Sequence, residues 1–164
     1  MRLELTEAVR PREQAFLSSL APLYFHDLSA YSDFYELDPD GRWHPDIIPD
    51  YFANASWHPL LITVDGQHVG FALVQAPPSP YVTPGRDHQM SEFFVLRAFR
   101  RRGLGRAAAV AVFDAFPGAW EVQEVPDNAS AIAFWRGVIQ VYTGGRFTET
   151  AQDGFPTQWF TSPP

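Results

Sequence analysis

The stretch from Ser91 to Arg106, SEFFVLRAFRRRGLGR, decides the fold. Its opening, Ser91 to Leu96, is aromatic and branched, which is strand composition. Gly103 and Gly105 then lead into an apolar run with alanines at 107, 108, 109, 111 and 115, which suits a helix lying close against a sheet. The expected helix spans Gly103 to Phe116 and is apolar nearly all round, so burial is expected for it. A strand that turns through glycines into a helix leaves unpaired backbone N–H groups and the positive end of the helix dipole at the turn. Phosphate binds such helix starts, and a residue without Cβ lets it come close. Five of the chain's 12 basic residues, Arg97, Arg100, Arg101, Arg102 and Arg106, crowd this one turn.

Working outward from that turn, Pro117-Gly118 stops the helix and AWEVQEV reads as the next strand. Asp127 or Asn128 can cap a further helix to about Ile139, with Ala131, Phe134, Trp135 and Val138 on its inner face. Tyr142 to Gly145 then reads as a turn before two weakly signalled strands, RFTET and TQWFT. Upstream, LLITVDGQHVGFALV alternates on both sides of Asp65-Gly66, a hairpin pattern. The amino-terminal part predicts a strand over Leu3 to Ala8 and a helix from about Arg12 to His26 with Ala15, Phe16, Leu20 and Leu23 on one face. Between them, residues 27 to 59 read as loops with one short helix near Ile47 to Asn54. No repeat or linker divides the chain, so the expectation is one α/β domain over residues 1–164, with a mixed twisted sheet flanked by helices.

Composition narrows the chemistry. The chain has no cysteine, which removes disulfides, thiol nucleophiles and cysteine metal sites. Its histidines, His26, His44, His58, His68 and His88, show no metal-binding spacing, and no metal is expected. No apolar run approaches the roughly 20 residues that span a bilayer, and the start MRLELTEAVR lacks a signal-peptide core, so no membrane association and a cytoplasmic location are expected. The net charge of −7 argues against a nucleic-acid partner. A local cluster of arginines in an acidic chain fits a small phosphorylated ligand held at one place.

The segment Arg100-x-x-Gly103-x-Gly105 resembles the Q/R-x-x-G-x-G/A signature of the GNAT N-acetyltransferase superfamily, with the strand FFVL before it and NASAIAFW, similar to the family's N-x-x-A-x-x-F-Y, after it. The order of elements agrees from about residue 60 to 147, and the chain is similar in detail to uncharacterised bacterial members of that superfamily. The resemblance implies an enzyme that moves an acetyl group from acetyl-CoA to an amine. It also implies that the backbone of Phe94 and Val95 pairs with the pantetheine arm, and that Arg100, Arg101, Arg102, Gly103, Leu104, Gly105 and Arg106 form the pyrophosphate loop. Asn128 would reach the pantetheine from the following helix. The loose dinucleotide fingerprint Gly103-x-Gly105-x-x-Ala108, with Glu124 some twenty residues on, is a rival. It fits poorly, because six residues, Arg97 to Arg102, separate the strand from the first glycine. A domain that binds CoA without turnover is a second alternative.

Direct attack on a thioester needs a neutral amine, a polarised carbonyl and a proton for the departing thiolate. Glu92, on the strand leading to the turn, is the candidate base, acting directly or through water, with His88 as a weaker one. The tyrosine that many family members use as acid is Trp135 here, and an indole cannot give up a proton at useful pH. Tyr142 is the candidate substitute, unless the thiolate leaves unassisted. The acceptor is expected to be a small cationic amine, because Asp27, Asp33, Glu36, Asp38, Asp40, Asp46 and Asp50 mingle with Tyr31, Phe34, Tyr35 and Trp43 in the irregular stretch. A homodimer stays open.

Overall fold

In the computed structural model, which describes residues 2–44 and 46–163, most of the chain's strands join one sheet. The elements, in chain order, are β1 (Leu3–Glu7), α1 (Pro11–Leu28), β2 (Glu36–Leu37), β3 (Trp43–His44), α2 (Ile48–Ala53), β4 (Trp57–Val64) and β5 (Gln67–Gln75). They continue with β6 (His88–Val95), a single 3-10 turn (Arg97–Phe99), α3 (Leu104–Ala115), β7 (Ala119–Gln123), α4 (Ala129–Tyr142), β8 (Phe147–Gln152) and β9 (Phe155–Thr161). The large sheet is seven-stranded in the order β1-β4-β5-β6-β7-β9-β8. All its neighbours are antiparallel except β6 and β7, which α3 links as a parallel crossover. No described helix is long and apolar enough to cross a membrane.

Apolar residues of the strands alternate between two cores, one on each face of the sheet. On one face α1 and α2 cover Leu61, Phe71, Leu73 and Phe94 with Leu17, Leu20, Ala21 and Phe25. On the other, α3 and α4 cover Val74, Met90, Trp120 and Val122 with Val112, Phe113, Trp135 and Ile139. The α1 stripe therefore differs from the one expected: Phe16 and Leu23 are exposed, and Leu17, Leu20, Ala21, Phe25 and Leu28 are buried. Likewise α3 is buried on one face only, with Arg106, Asp114 and Ala115 in solvent. The expected hairpin turns through Asp65 and Gly66, both with positive φ. Helix α4 runs through Tyr142, so the turn begins later than the sequence suggests. The stretch expected as loops holds a small ribbon, β2 paired with β3.

Candidate active site

One extra residue in β6 opens the sheet. Val74 of β5 faces Met90 and the adjacent Leu73 faces Glu92, so Ser91 is bulged out of the ladder. Strict alternation would place Met90, Glu92 and Phe94 on one face. With Ser91 inserted, Met90 and Phe93 turn towards α4 while Glu92 and Phe94 turn towards α1. A bulge also increases local twist, and the pairing of β6 with β7 ends at Met90 opposite Val122. Beyond that pair β6 continues to Val95 without β7 beside it, which leaves strand edge free to bind an extended group.

A cleft of about 620 Å³ lies over this opening. Its α1 and α2 side is built from Tyr24, Tyr35, Tyr51, Trp57 and Glu92, and its α4 side from Phe93, Glu124, Asn128, Ala131 and Trp135. Asp50, Glu92 and Glu124 line it, and no arginine or histidine among the described residues does. The Tyr24 hydroxyl donates to Glu92 Oε2 at 2.5 Å. Removal from water pushes the Glu92 carboxyl up to about 7, against the pull of that hydrogen bond. Burial first, and then the charge of Glu92, pushes the hydroxyls of Tyr24, Tyr35 and Tyr51 above the ordinary phenol range. They are therefore donors throughout the physiological range.

The turn from β6 to α3 fits a phosphorylated ligand. Gly103 has φ +76 and Arg101 φ +62, and successive backbone N–H groups in a turn of this kind can form an anion-binding concavity. An added Cβ at Gly103 would meet nothing within 4 Å, so its φ is what calls for glycine. At Gly105 a Cβ would come within 3.3 Å of the Phe134 ring, so this glycine serves the packing of α3 against α4. Arg101, Arg102 and Arg106 are exposed and make no salt bridge among the described residues. Arg100 is different: its Nε donates to the Val95 carbonyl at 2.6 Å and its Nη2 to Asp27 Oδ2 at 2.7 Å. Its side chain thus braces the loop against the end of α1, and it occupies the carbonyl of Val95, one of the two residues whose backbone is expected to pair with the pantetheine. The other residue expected there, Phe94, packs its ring into the α1 core. Leu104 is buried at the helix start. Asn128 caps α4, its Oδ1 accepting from the Ala131 N–H at 3.1 Å, and the residue lies in the cleft wall.

Two sequence candidates lie outside the cleft. Tyr142 is two helical turns from Trp135, and its hydroxyl donates to Asp114 of α3 at 2.8 Å. His88 packs edge-on against Phe116 and tilted against Trp120, with its Nε2 3.2 Å from the Pro117 carbonyl, and burial lowers its pKa. The acidic stretch does not converge either. Asp27 binds Arg97 and Arg100, Asp38 closes a turn with Arg42, and of the seven acids only Asp50 lines the cleft. Sequence reasoning missed Glu124 as a cleft residue, reading it only through a cofactor motif of another fold. The strand break at Pro126 next to a cap signal was the one hint that it ends at a site.

A family-wide sequence profile described as the acetyltransferase (GNAT) family matches residues 20–138. No curated protein sequence matches the chain. Among solved structures, an acetyltransferase from Thermus thermophilus is 19% identical with a TM-score of 0.65, covering 100% of this chain and 98% of its own. A GNAT family acetyltransferase from Streptococcus agalactiae is 13% identical with a TM-score of 0.67, covering 99% and 96%. A Salmonella typhimurium structure containing acetyl-CoA is 15% identical with a TM-score of 0.62, covering 100% and 96%. At these identities the structures show a shared fold.

Proposed function

The chain belongs to the acetyltransferase (GNAT) family, and from that premise we propose that it carries the acetyl group of acetyl-CoA to the nitrogen of a small cationic amine by direct attack on the thioester. The observation that carries this reading is the parting of β6 from β7 after Met90, with the buried Glu92 carboxyl at the opening. On the α3 side, the left-handed turn at Gly103 and the exposed Arg101, Arg102 and Arg106 would hold the pyrophosphate. The free edge of β6 would pair with the pantetheine and present backbone N–H to the thioester oxygen, which develops negative charge as the amine adds. Asn128 would hold the pantetheine from the α4 cap.

On the α1 side, an ammonium is drawn towards Asp50 and the Glu92 carboxylate, in a cleft lined by no cationic side chain among the described residues. Tyrosine and tryptophan faces there favour a cation further. Glu92, with its pKa near 7, is ionised on about half of the molecules at neutral pH, so it can take the ammonium proton and release it again. Tyr24 holds that carboxylate in place through the whole cycle. The test is release of free CoA thiol from acetyl-CoA across a panel of cationic, neutral and anionic amines. Turnover favouring the cationic ones is expected. Binding of acetyl-CoA without turnover of any amine would make the chain a CoA-binding sensor instead.

A further inference from the structure

We propose that Glu124 donates the proton to the departing CoA sulfur in this chain, the part that Trp135 cannot play and Tyr142 is too far away to play. The inference rests on the acetyl-transfer reading and concerns the other half of that reaction.

The geometry separates two carboxyls across the opening of the sheet. Glu92 stands two residues beyond Met90 on β6, and Glu124 stands two residues beyond Val122 on β7, where Met90 and Val122 form the last pair. The bulge at Ser91 turns Glu92 to the α1 side, where the acceptor enters. Strand β7 has no bulge, so Glu124 stays on the α4 side with Val122. Its bonds agree: Glu124 Oε2 accepts from Gln158 Nε2 at 3.2 Å, and the same Nε2 reaches Glu149, which pairs with Arg136 of α4. The donor loop before α3 and the Asn128 cap of α4 lie on this face as well. Among the cleft residues of that side, Phe93, Asn128, Ala131 and Trp135 carry no titrating group, which leaves Glu124.

Its surroundings keep the proton on Glu124 until it is needed. The residue is 4% exposed, and its Oε1 has no partner among the described residues. The cation facing it, Arg136, is committed to Glu149. Burial therefore pushes the carboxyl up to about 8, with Gln158 pulling it down and Glu149 adding to the rise. At neutral pH most molecules hold Glu124 as the acid. Glu92 first passes the ammonium proton on to water; in the step itself the neutral amine nitrogen forms the new C–N bond and gives its second proton to the Glu92 carboxylate. The C–S bond breaks, its electron pair stays on sulfur, and sulfur takes the proton of Glu124 to leave as the thiol. Water then returns a proton to Glu124 and removes one from Glu92, so the protons balance.

The experiment compares the parent with Glu124→Gln and Glu124→Asp, using acetyl-CoA and the best amine of the panel. The expected result is a 10²–10⁴-fold loss of kcat in E124Q with acetyl-CoA affinity by calorimetry unchanged, and partial recovery in E124D. A purely structural buried acid would give the reverse order, since glutamine matches its shape and aspartate does not. The parent's kcat should also fall above about pH 8, as Glu124 ionises, and E124Q should lack that limb; the other charged groups near Glu124 are Glu149 and Arg136 behind it, beyond Gln158, and Glu92 and Asp50 in the cleft. A parent that turns over while E124Q keeps kcat within about threefold overturns this proposal alone. A parent that binds acetyl-CoA and releases no thiol overturns the transfer reading and this proposal with it.

Discussion

The Glu92 carboxyl is kept out of water at a cost that depends on pH. Its pKa is near 4.5 when exposed and about 7 when folded. Below pH 4.5 it is protonated in both states and costs nothing extra. Between 4.5 and 7 the folded chain holds more of this proton than the unfolded chain, so stability falls as pH rises, and above 7 the full penalty of about 3 kcal/mol is present. Glu92→Gln is therefore expected to raise the melting temperature at pH 8, with the gain fading towards pH 4, while kcat falls 10²–10⁴-fold. Melts across pH and steady-state rates check the two halves, and an unchanged kcat would remove Glu92 as the base. Tyr142→Phe is expected to do the opposite. It loses the bond to Asp114, about 1 kcal/mol, and leaves kcat within about twofold. A large fall in kcat without a change in stability would return Tyr142 to the mechanism.

At the scale of elements, the site is a consequence of how β6 is built. Ser91 adds a residue that β5 cannot pair, and the extra twist carries β6 away from β7 just where the cleft begins. Deleting Ser91 would let the parallel ladder continue past Met90. The expected product is a folded protein whose melting temperature no longer rises with acetyl-CoA. A deletion variant that binds acetyl-CoA as tightly as the parent, by calorimetry, would show that the bulge does not make the opening. Helix α1 teaches a related lesson. Its sequence carries two apolar stripes about one residue apart, and the stripe through Leu17, Leu20, Ala21 and Phe25 is buried because it meets Leu61, Phe71 and Leu73 of the sheet. The same choice brings Tyr24 round to Glu92.

Across the whole molecule, the sheet separates two chemistries. The exposed Arg101, Arg102 and Arg106 stand at the start of α3, and the α1 and α2 face carries Glu92, which lines the cleft with Asp50. The Asp27 carboxylate ties the two together by binding Arg97 and Arg100. Burial pushes its pKa up, but those hydrogen bonds win and hold it below the usual value. Charge separation of this kind predicts that KM for a cationic amine rises with ionic strength. Asp50→Asn is expected to raise that KM about three- to tenfold and to leave acetyl-CoA affinity alone. Equal KM values for cationic and anionic amines, insensitive to the substitution, would show that the acids of the cleft do not select the acceptor.

The strand, turn and helix proposed to hold the donor were legible in the amino-acid order, because a strand, a glycine-bearing turn and a helix start are consecutive in the chain and their geometry is that of backbone groups. Gly103, Asn128 and the Asp65-Gly66 turn are local devices of the same kind, each defined by neighbours a few residues away. Glu92 was singled out from its place on the strand before the turn, and it lines the cleft. Its partner Tyr24 lies 68 residues away, and its face is set by one bulged residue that alternation alone would not supply. Glu124, Gln158 and Glu149 come together only because β7, β9 and β8 are neighbours in the sheet. The acidic stretch was misjudged for the converse reason: nearness in sequence does not bring side chains to one place, and the tertiary structure committed carboxylates of that stretch to turns and to arginines, leaving Asp50 at the cleft. What the sequence determined by itself was the set of local backbone geometries; which distant side chains share a low-dielectric space, and so which carboxyls keep a proton, was decided by the packing of the sheet's two faces.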